Sequence, residues 1–136
     1  MSYTGDILPR EAWEMLESTG NAILVDVRTL PEWRYVGVPD LASLGREASL
    51  VSWQVWPGMG VNPNFVDEVA AASQGGPLLF ICRSGVRSAH AATAATVRGL
   101  GPCYNVSEGF EGDRDGEGHR GRMWGWKAAG LPWKQE

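Results

Sequence analysis

The sequence predicts an α/β fold, with a mainly parallel sheet that carries helices on both faces. Short apolar segments alternate with helix-like segments along the chain, which is typical of parallel strands joined by crossover helices. Segments 22–27 and 78–81 are almost continuously apolar, as expected for strands buried on both faces. The length of 136 residues suits one domain, and we expect residues 1–136 to form it.

The first half of the chain contains one predicted helix and two predicted strands. Pro9–Thr19 indicates a helix, because Ala12 and Leu16 share one face and the proline suits a first turn. Ala22–Val27 then predicts a strand buried on both faces. In Leu50–Trp56 apolar and polar residues alternate, which favours a strand covered on one face near a sheet edge.

The second half repeats this alternation of helix and strand. Asn62-Pro63 predicts the cap and first turn of a helix. Gly75-Gly76-Pro77 separates that helix from a strand at Leu78–Ile81. Gly85–Arg98 predicts a helix rich in alanine, whose small side chains would let it lie close to the sheet. Cys103–Val106 predicts a further short strand.

Composition and charge exclude several classes of protein. A hydrophobic content of 43% argues against intrinsic disorder. The net charge of −4 and the absence of a lysine-rich run argue against nucleic-acid or membrane partners. No apolar run is long enough to span a bilayer and the first residues do not resemble a secretory signal, so we expect a cytoplasmic protein. In that compartment Cys82 and Cys103 are expected to be free thiols.

The residues most typical of catalysis follow the apolar segment 78–81. Cys82 comes first, and the residues after it lead into the alanine-rich helix: Arg83, Ser84, Gly85, Val86, Arg87 and Ser88. A cysteine reacts as its thiolate, and a free thiol with a pKa of about 8.5 is mostly protonated at neutral pH. The helix N-terminus, inward-facing N–H groups of a tight glycine loop and two arginines would all favour an anion here. The sequence therefore predicts a nucleophilic cysteine at Cys82.

This loop resembles the active-site loop of the rhodanese sulfurtransferases, in which a cysteine is followed by a basic residue, a glycine and a final arginine. Asp26-Val27-Arg28 resembles the Asp-x-Arg of that family, and Pro31-Glu32-Trp33 resembles its Glu-aromatic segment. Gly109-Phe110 and the segment 126–132 resemble its terminal signature. The matches occur in the family's order over almost the whole chain.

The resemblance implies a rhodanese domain with a five-stranded central sheet. It implies that Cys82 accepts sulfane sulfur as a persulfide and passes it to cyanide, a small thiol or a protein cysteine. Arg83 and Arg87 would orient a small sulfur-containing anion such as thiosulfate, while the backbone amides of Ser84–Ser88 stabilise charge on sulfur. Asp26 and Arg28 would support the site. No metal or organic cofactor is implied.

Loop length separates this function from its alternatives. Four residues lie between Cys82 and Arg87, as in sulfurtransferases of this family, whereas the related phosphatases have five. A phosphatase or arsenate reductase on the same fold remains the first alternative. The second is a non-catalytic module for sulfur relay or regulatory binding.

Other candidate residues are more consistent with structural roles. Asp26 and Arg28 are expected to pair with each other or with nearby backbone, because a charge buried at a strand end needs a partner. A direct catalytic role is the alternative. Cys103 is expected to be a packed thiol. His90 and His119 have no metal-ligand partner at a recognisable spacing, which argues against a metal site.

Residues 107–123 differ from the rest of the chain in being rich in glycine and in charges of both signs. We expect a long surface loop. The alternative is a lid over the site, in which three arginines meet an anionic donor or partner: Arg114, Arg120 and Arg122.

Overall fold

The structure, a computed structural model, describes residues 2–120 and 123–135. The elements in chain order are β1 (Gly5–Ile7), α1 (Pro9–Ser18), β2 (Ile23–Asp26), α2 (Leu30–Tyr35), β3 (Val38–Pro39), a 3-10 helix (Ala42–Leu44), β4 (Ser49–Leu50), β5 (Gln54–Val55), β6 (Gly60–Val61), α3 (Phe65–Ala72), β7 (Leu78–Ile81), α4 (Val86–Val97), β8 (Cys103–Val106) and β9 (Trp133–Lys134). Five of these strands form one parallel sheet in the order β1-β8-β7-β2-β4. The predicted α/β fold with a five-stranded parallel sheet is confirmed.

Helices cover both faces of this sheet, as predicted. In the central strands β2 and β7, successive side chains point to opposite faces and all are buried. On one face α3 and α4 pack over residues such as Val25 and Phe80. On the other face α1 packs over residues such as Leu24 and Leu79. The prediction from continuously apolar strands therefore holds.

The segment predicted as one strand over 50–56 is divided between two sheets. Its first part, β4, is the edge strand, and the N–H groups of Val51 and Trp53 still donate to the carbonyls of Asp26 and Val27. Its last part, β5, leaves the sheet and pairs antiparallel with β6. The edge position is confirmed, but the continuous strand is wrong, since the chain bends at Trp53 before it forms the hairpin of β5 and β6.

Helix α3 begins later than the Asn62-Pro63 pair predicts. Asn64 is its cap residue, and the Asn62 side chain instead accepts the Asn64 N–H at 3.0 Å in the preceding turn. The hydrophobic pattern does not predict the short elements β1, α2, β3, β6 and β9 or the 3-10 helix. Their lengths of two to six residues are too short for a reliable hydrophobic period.

Within the described residues, no helix combines the length and the apolar character that crossing a membrane requires.

Candidate active site

Cys82 is the first residue beyond β7, at the carboxyl end of the sheet, and three residues connect it to α4. Gly85 caps α4 with φ = 102°, a left-handed conformation that favours glycine. A Cβ atom at Gly85 would also collide with the carbonyl oxygen of Ser107. This turn directs the Gly85 N–H towards Cys82 Sγ, at 3.1 Å. The left-handed backbone and the close approach of Ser107 therefore both require a glycine at position 85.

The sulfur of Cys82 lies in a buried but polar pocket. The residue is 1% exposed, and its Sγ atom is 3.1 Å from Ser88 Oγ and 3.1 Å from the Gly85 nitrogen. Since the first N–H groups of a helix have no partner within it, those of α4 remain available on the side of the loop. The helix dipole adds partial positive charge there. The Gly85 N–H and the positive end of α4 thus place partial positive charge next to the sulfur.

A second segment of the chain shapes the loop from outside. We call residues 109–112 the latch segment. Phe110 donates its N–H to the Cys82 carbonyl at 2.8 Å, and Glu111 and Gly112 both donate to the Arg83 carbonyl at 3.0 Å. In a trans peptide the next N–H points opposite to the carbonyl, so those of Arg83 and Ser84 face away from the latch segment.

The prediction of a surface loop over 107–123 is wrong for the latch segment. Gly109, Phe110 and Gly112 are buried, and a Cβ atom on Gly109 would lie 2.5 Å from the Arg83 carbonyl. The N–H groups of Phe110 and Gly112 donate to the loop that follows β7, and a periodicity argument cannot detect such contacts. Only the following part, 113–119, is largely exposed.

The proposed lid arginines occupy different environments. Arg114 is exposed, whereas Arg120 donates to the Gly112 carbonyl at 2.9 Å. Arg122 lies outside the described residues. A lid function for this segment stays a prediction.

The two arginines that follow Cys82, Arg83 and Arg87, also differ. Arg83 is exposed, and its side chain contacts no acceptor among the described residues. Arg87 instead donates to both carboxylate oxygens of Glu32, at 2.7 and 2.9 Å. Arg83 is therefore the arginine available to an anion in solution, while Arg87 joins the start of α4 to α2.

The ion pair between Arg87 and Glu32 is strong enough to shift the ionisation of both groups. Burial alone would raise the pKa of Glu32, but hydrogen bonds and charge from Arg87, with hydrogen bonds from Thr29, lower it to about 2. The hydrogen bond to Glu32 in turn raises the pKa of Arg87, although burial opposes this. Both side chains therefore remain charged at neutral pH.

Asp26 and Arg28 are fully buried and paired, which confirms the expected partnership. Arg28 donates from Nε at 2.9 Å and from Nη2 at 2.7 Å to the two oxygens of Asp26. Its Nη2 also donates to the Gly37 carbonyl at 2.7 Å, and its guanidinium lies 4.3 Å from the centre of the Phe110 ring. The pair thus links the end of β2 to the latch segment. Its contribution to catalysis stays a prediction.

Sequence reasoning assigned no contact with the Cys82 loop or with α4 to two polar side chains that make one. One is Glu32, whose capping pattern with Thr29 is visible in the sequence but whose ion pair with Arg87 is not. The other is Asn105 in β8, which accepts from Ser88 Oγ at 2.5 Å and donates to the Gly85 carbonyl at 3.1 Å. A polar amide within an apolar strand was the available signal, since a buried amide needs partners.

Both cysteines are free, as predicted, and both are buried. Cys103 donates its thiol to the Leu100 carbonyl at 3.4 Å, and burial raises its pKa. This environment confirms a packed thiol. Within residues 2–120 and 123–135, no three His, Cys, Asp or Glu side chains lie together as metal ligands would.

Comparison with known proteins connects this geometry to a family. The model of the rhodanese-like domain matches residues 8–114. The chain is 39% identical over 133 residues to an uncharacterized protein of Rickettsia conorii, RC0915, covering 95% of this chain and 96% of the relative. It is 28% identical over 127 residues to the thiosulfate sulfurtransferase GlpE of Actinobacillus pleuropneumoniae, covering 93% and 90% of the two chains.

A solved structure shares the whole fold. The crystal structure of Rv0390 from M. tuberculosis superposes with a TM-score of 0.91 at 53% sequence identity. The match covers 98% of this chain and 99% of that one. The family model, the relative of 39% identity and the solved structure together show that this chain belongs to the rhodanese-like domain family.

Proposed function

We propose that this protein is a sulfurtransferase that moves sulfane sulfur from an anionic donor such as thiosulfate to a thiophilic acceptor. The observation that carries the proposal is the Cys82 sulfur, contacted by the Gly85 N–H at the positive end of α4. The similarity to a thiosulfate sulfurtransferase supports the same chemistry. The proposal includes a cytoplasmic location.

The first step forms a persulfide on Cys82. The thiolate attacks the outer sulfur of thiosulfate, an S–S bond to Cys82 forms, and the donor's S–S bond breaks. Sulfite leaves with the electron pair of that bond, and the negative charge of the enzyme moves to the outer sulfur. The N–H groups at the start of α4 stabilise this charge.

The second step returns the enzyme to its starting state. An acceptor such as cyanide, a small thiol or a protein cysteine attacks the outer sulfur as a nucleophile. The bond between the two sulfurs breaks, and its electron pair stays on Cys82 as the thiolate. With cyanide the product is thiocyanate, and no metal or organic cofactor takes part in either step.

A mass measurement tests this function. After incubation with thiosulfate the intact protein should gain the mass of one sulfur, and cyanide should remove it. Cys82→Ser should abolish the gain, whereas Cys103→Ser, the matched control at the packed thiol, should keep it. Sulfur loading that survives in Cys82→Ser would refute the assignment. Hydrolysis of an aryl phosphate or reduction of arsenate faster than sulfur transfer would favour the first alternative.

Arg83 is proposed to select anionic donors. Its exposed side chain has no partner among the described residues, so Arg83→Gln should leave stability unchanged while raising the KM for thiosulfate about fivefold, with less effect at high salt. Arg98→Gln removes a positive charge at the opposite end of α4 and is the matched control. An equal rise in KM for both variants would mean that only the overall charge matters.

A further inference from the structure

A buried chain of hydrogen bonds leads from the catalytic sulfur to the surface. Cys82 Sγ lies 3.1 Å from Ser88 Oγ, which is 2.5 Å from Asn105 Oδ1. Asn105 Nδ2 donates to Asp6 Oδ1 at 3.0 Å, and the Tyr3 hydroxyl donates to the same oxygen at 2.8 Å. Ser88 is completely buried and Asn105 is 3% exposed, whereas Asp6 is exposed.

The partners of Asn105 determine the direction of every bond in this chain. The Asp6 carboxylate and the Gly85 carbonyl are acceptors, so the amide must turn its NH₂ group towards both of them. Its oxygen then faces Ser88 and can only accept. Because the Ser88 hydroxyl has a single proton, that proton belongs to the bond with Asn105. Ser88 consequently presents a lone pair to Cys82.

The direction of the hydrogen bond between Ser88 and Asn105 affects the charge that the Cys82 sulfur can carry. A thiol at Cys82 donates its proton to Ser88 and accepts the Gly85 N–H, so all the polar groups have partners. A thiolate would face the Ser88 lone pair. To donate to the thiolate, Ser88 would have to turn away from Asn105 and leave a buried acceptor without a donor, which is unfavourable.

We propose that Asn105, oriented by Asp6 and the Gly85 carbonyl, is a positioning residue that withholds the Ser88 proton from Cys82 and keeps the resting sulfur a thiol. The persulfide escapes this effect, because its inner sulfur is neutral and its charge lies on the outer sulfur. The network thus favours the loaded enzyme over the free thiolate. The proposal extends the proposed function to the control of its nucleophile.

Other charged groups lie on the loop and on the elements near it, and they must be held constant in any test. They come from several elements: Arg83 in the loop, Arg87 on α4, Glu32 on α2, Asp26 in β2, and Asp6 with Tyr3 at β1. His90, also on α4, is exposed. Glu32 has a pKa of about 2, and burial and Asp6 raise the pKa of Tyr3, so neither changes charge between about pH 5 and 9.

The rate of Cys82 alkylation by iodoacetamide, measured against pH, tests the proposal. Asn105→Leu removes the acceptor at similar volume and frees the Ser88 proton for the thiolate. We expect alkylation about tenfold faster near pH 6 and a profile moved to lower pH. The double variant Asn105→Leu/Ser88→Ala should lose this gain relative to Ser88→Ala alone. An unchanged profile in Asn105→Leu, or a gain that persists without Ser88, would overturn the proposal.

A measurement on the unmodified protein covers the case in which Asn105→Leu does not fold. The infrared S–H stretching band of Cys82, identified by its loss in Cys82→Ser, should be present at pH 7 at the frequency of a hydrogen-bonded donor. A missing band at pH 7 would overturn the proposal, since the sulfur would then be a thiolate at rest. Neither readout requires sulfur transfer, so failure here and failure of the proposed function are separate results.

Discussion

Replacing Glu32 with glutamine tests the role of the ion pair that joins α2 to the start of α4. Glutamine keeps the size of the side chain and can still accept hydrogen bonds from Thr29, but it carries no charge. The carboxylate of Glu32 accepts from both Nη1 and Nη2 of Arg87, so the substitution weakens two charge-assisted bonds. We expect the protein to become less stable and the loss to depend on pH.

The lowered pKa of Glu32 sets the size of the expected loss of stability. Its decrease from 4.5 to about 2 would correspond to an upper bound between about 3 and 4 kcal/mol of stability, at about 1.4 kcal/mol per pKa unit. The side chains of Arg87 and Glu32 are 18% and 21% exposed, so solvent screens part of this interaction. We therefore expect Glu32→Gln to lower the free energy of unfolding by about 1 to 2 kcal/mol at neutral pH.

The sign of the pH dependence follows from the lowered pKa. A carboxyl group whose pKa is lower in the folded state stabilises the protein fully above its unfolded pKa of 4.5, and this contribution is lost as pH falls towards 2. The stability difference between the parent protein and Glu32→Gln should therefore be largest above about pH 5 and shrink below it.

Urea unfolding of the two proteins at several pH values measures this difference. Asp67→Asn is the matched control, because it breaks the ion pair with Arg98, whose side chains are 59% and 70% exposed. It should lower stability by less than about 0.5 kcal/mol. A stability difference for Glu32→Gln that is the same at about pH 7 and pH 3 would refute the reasoning, because the loss would then not come from the charge.

Two further substitutions test the backbone and the buried charges of the site. Gly85→Ala combines a left-handed backbone with a collision against the Ser107 carbonyl, so it should lower the free energy of unfolding by about 2 kcal/mol or more and reduce sulfur loading. Gly99→Ala is the control, because Gly99 is also left-handed but lies in open space, and it should lower the free energy of unfolding by about 1 kcal/mol. Equal losses in the two variants would contradict the collision. Asp26→Asn leaves Arg28 buried without its counter-charge and should destabilise the protein by about 3 to 5 kcal/mol in urea unfolding, whereas a loss below about 1 kcal/mol would mean that the pair is not structural.

The parts of the fold that follow from local sequence were predictable. β7 is a continuous apolar segment between a Gly-Gly-Pro break and Cys82, and α4 is marked by its alanines, so both lie close to their predicted positions. The candidate active-site loop joins them and is contiguous in the sequence. Its cysteine, its glycine and its place at the carboxyl end of a strand could therefore be read directly.

The parts of the site that depend on tertiary contact were not predictable. Glu32 lies 55 residues before the arginine it binds, and Asn105 lies 17 residues after Ser88. Nothing in the hydrophobic pattern specifies these pairs, because polar partners are set by how the elements pack. The same holds for the buried latch segment, whose glycines and charges are typical of an exposed loop.

The latch segment has a consequence for the synthesis of the protein. A ribosome makes the chain from its N-terminus, so Cys82 and α4 emerge before residues 109–112 do. Until those residues arrive, the Cys82 and Arg83 carbonyls lack the three N–H donors that hold them in the folded protein. The loop after β7 therefore reaches its final hydrogen-bonded conformation only once most of the chain has been translated.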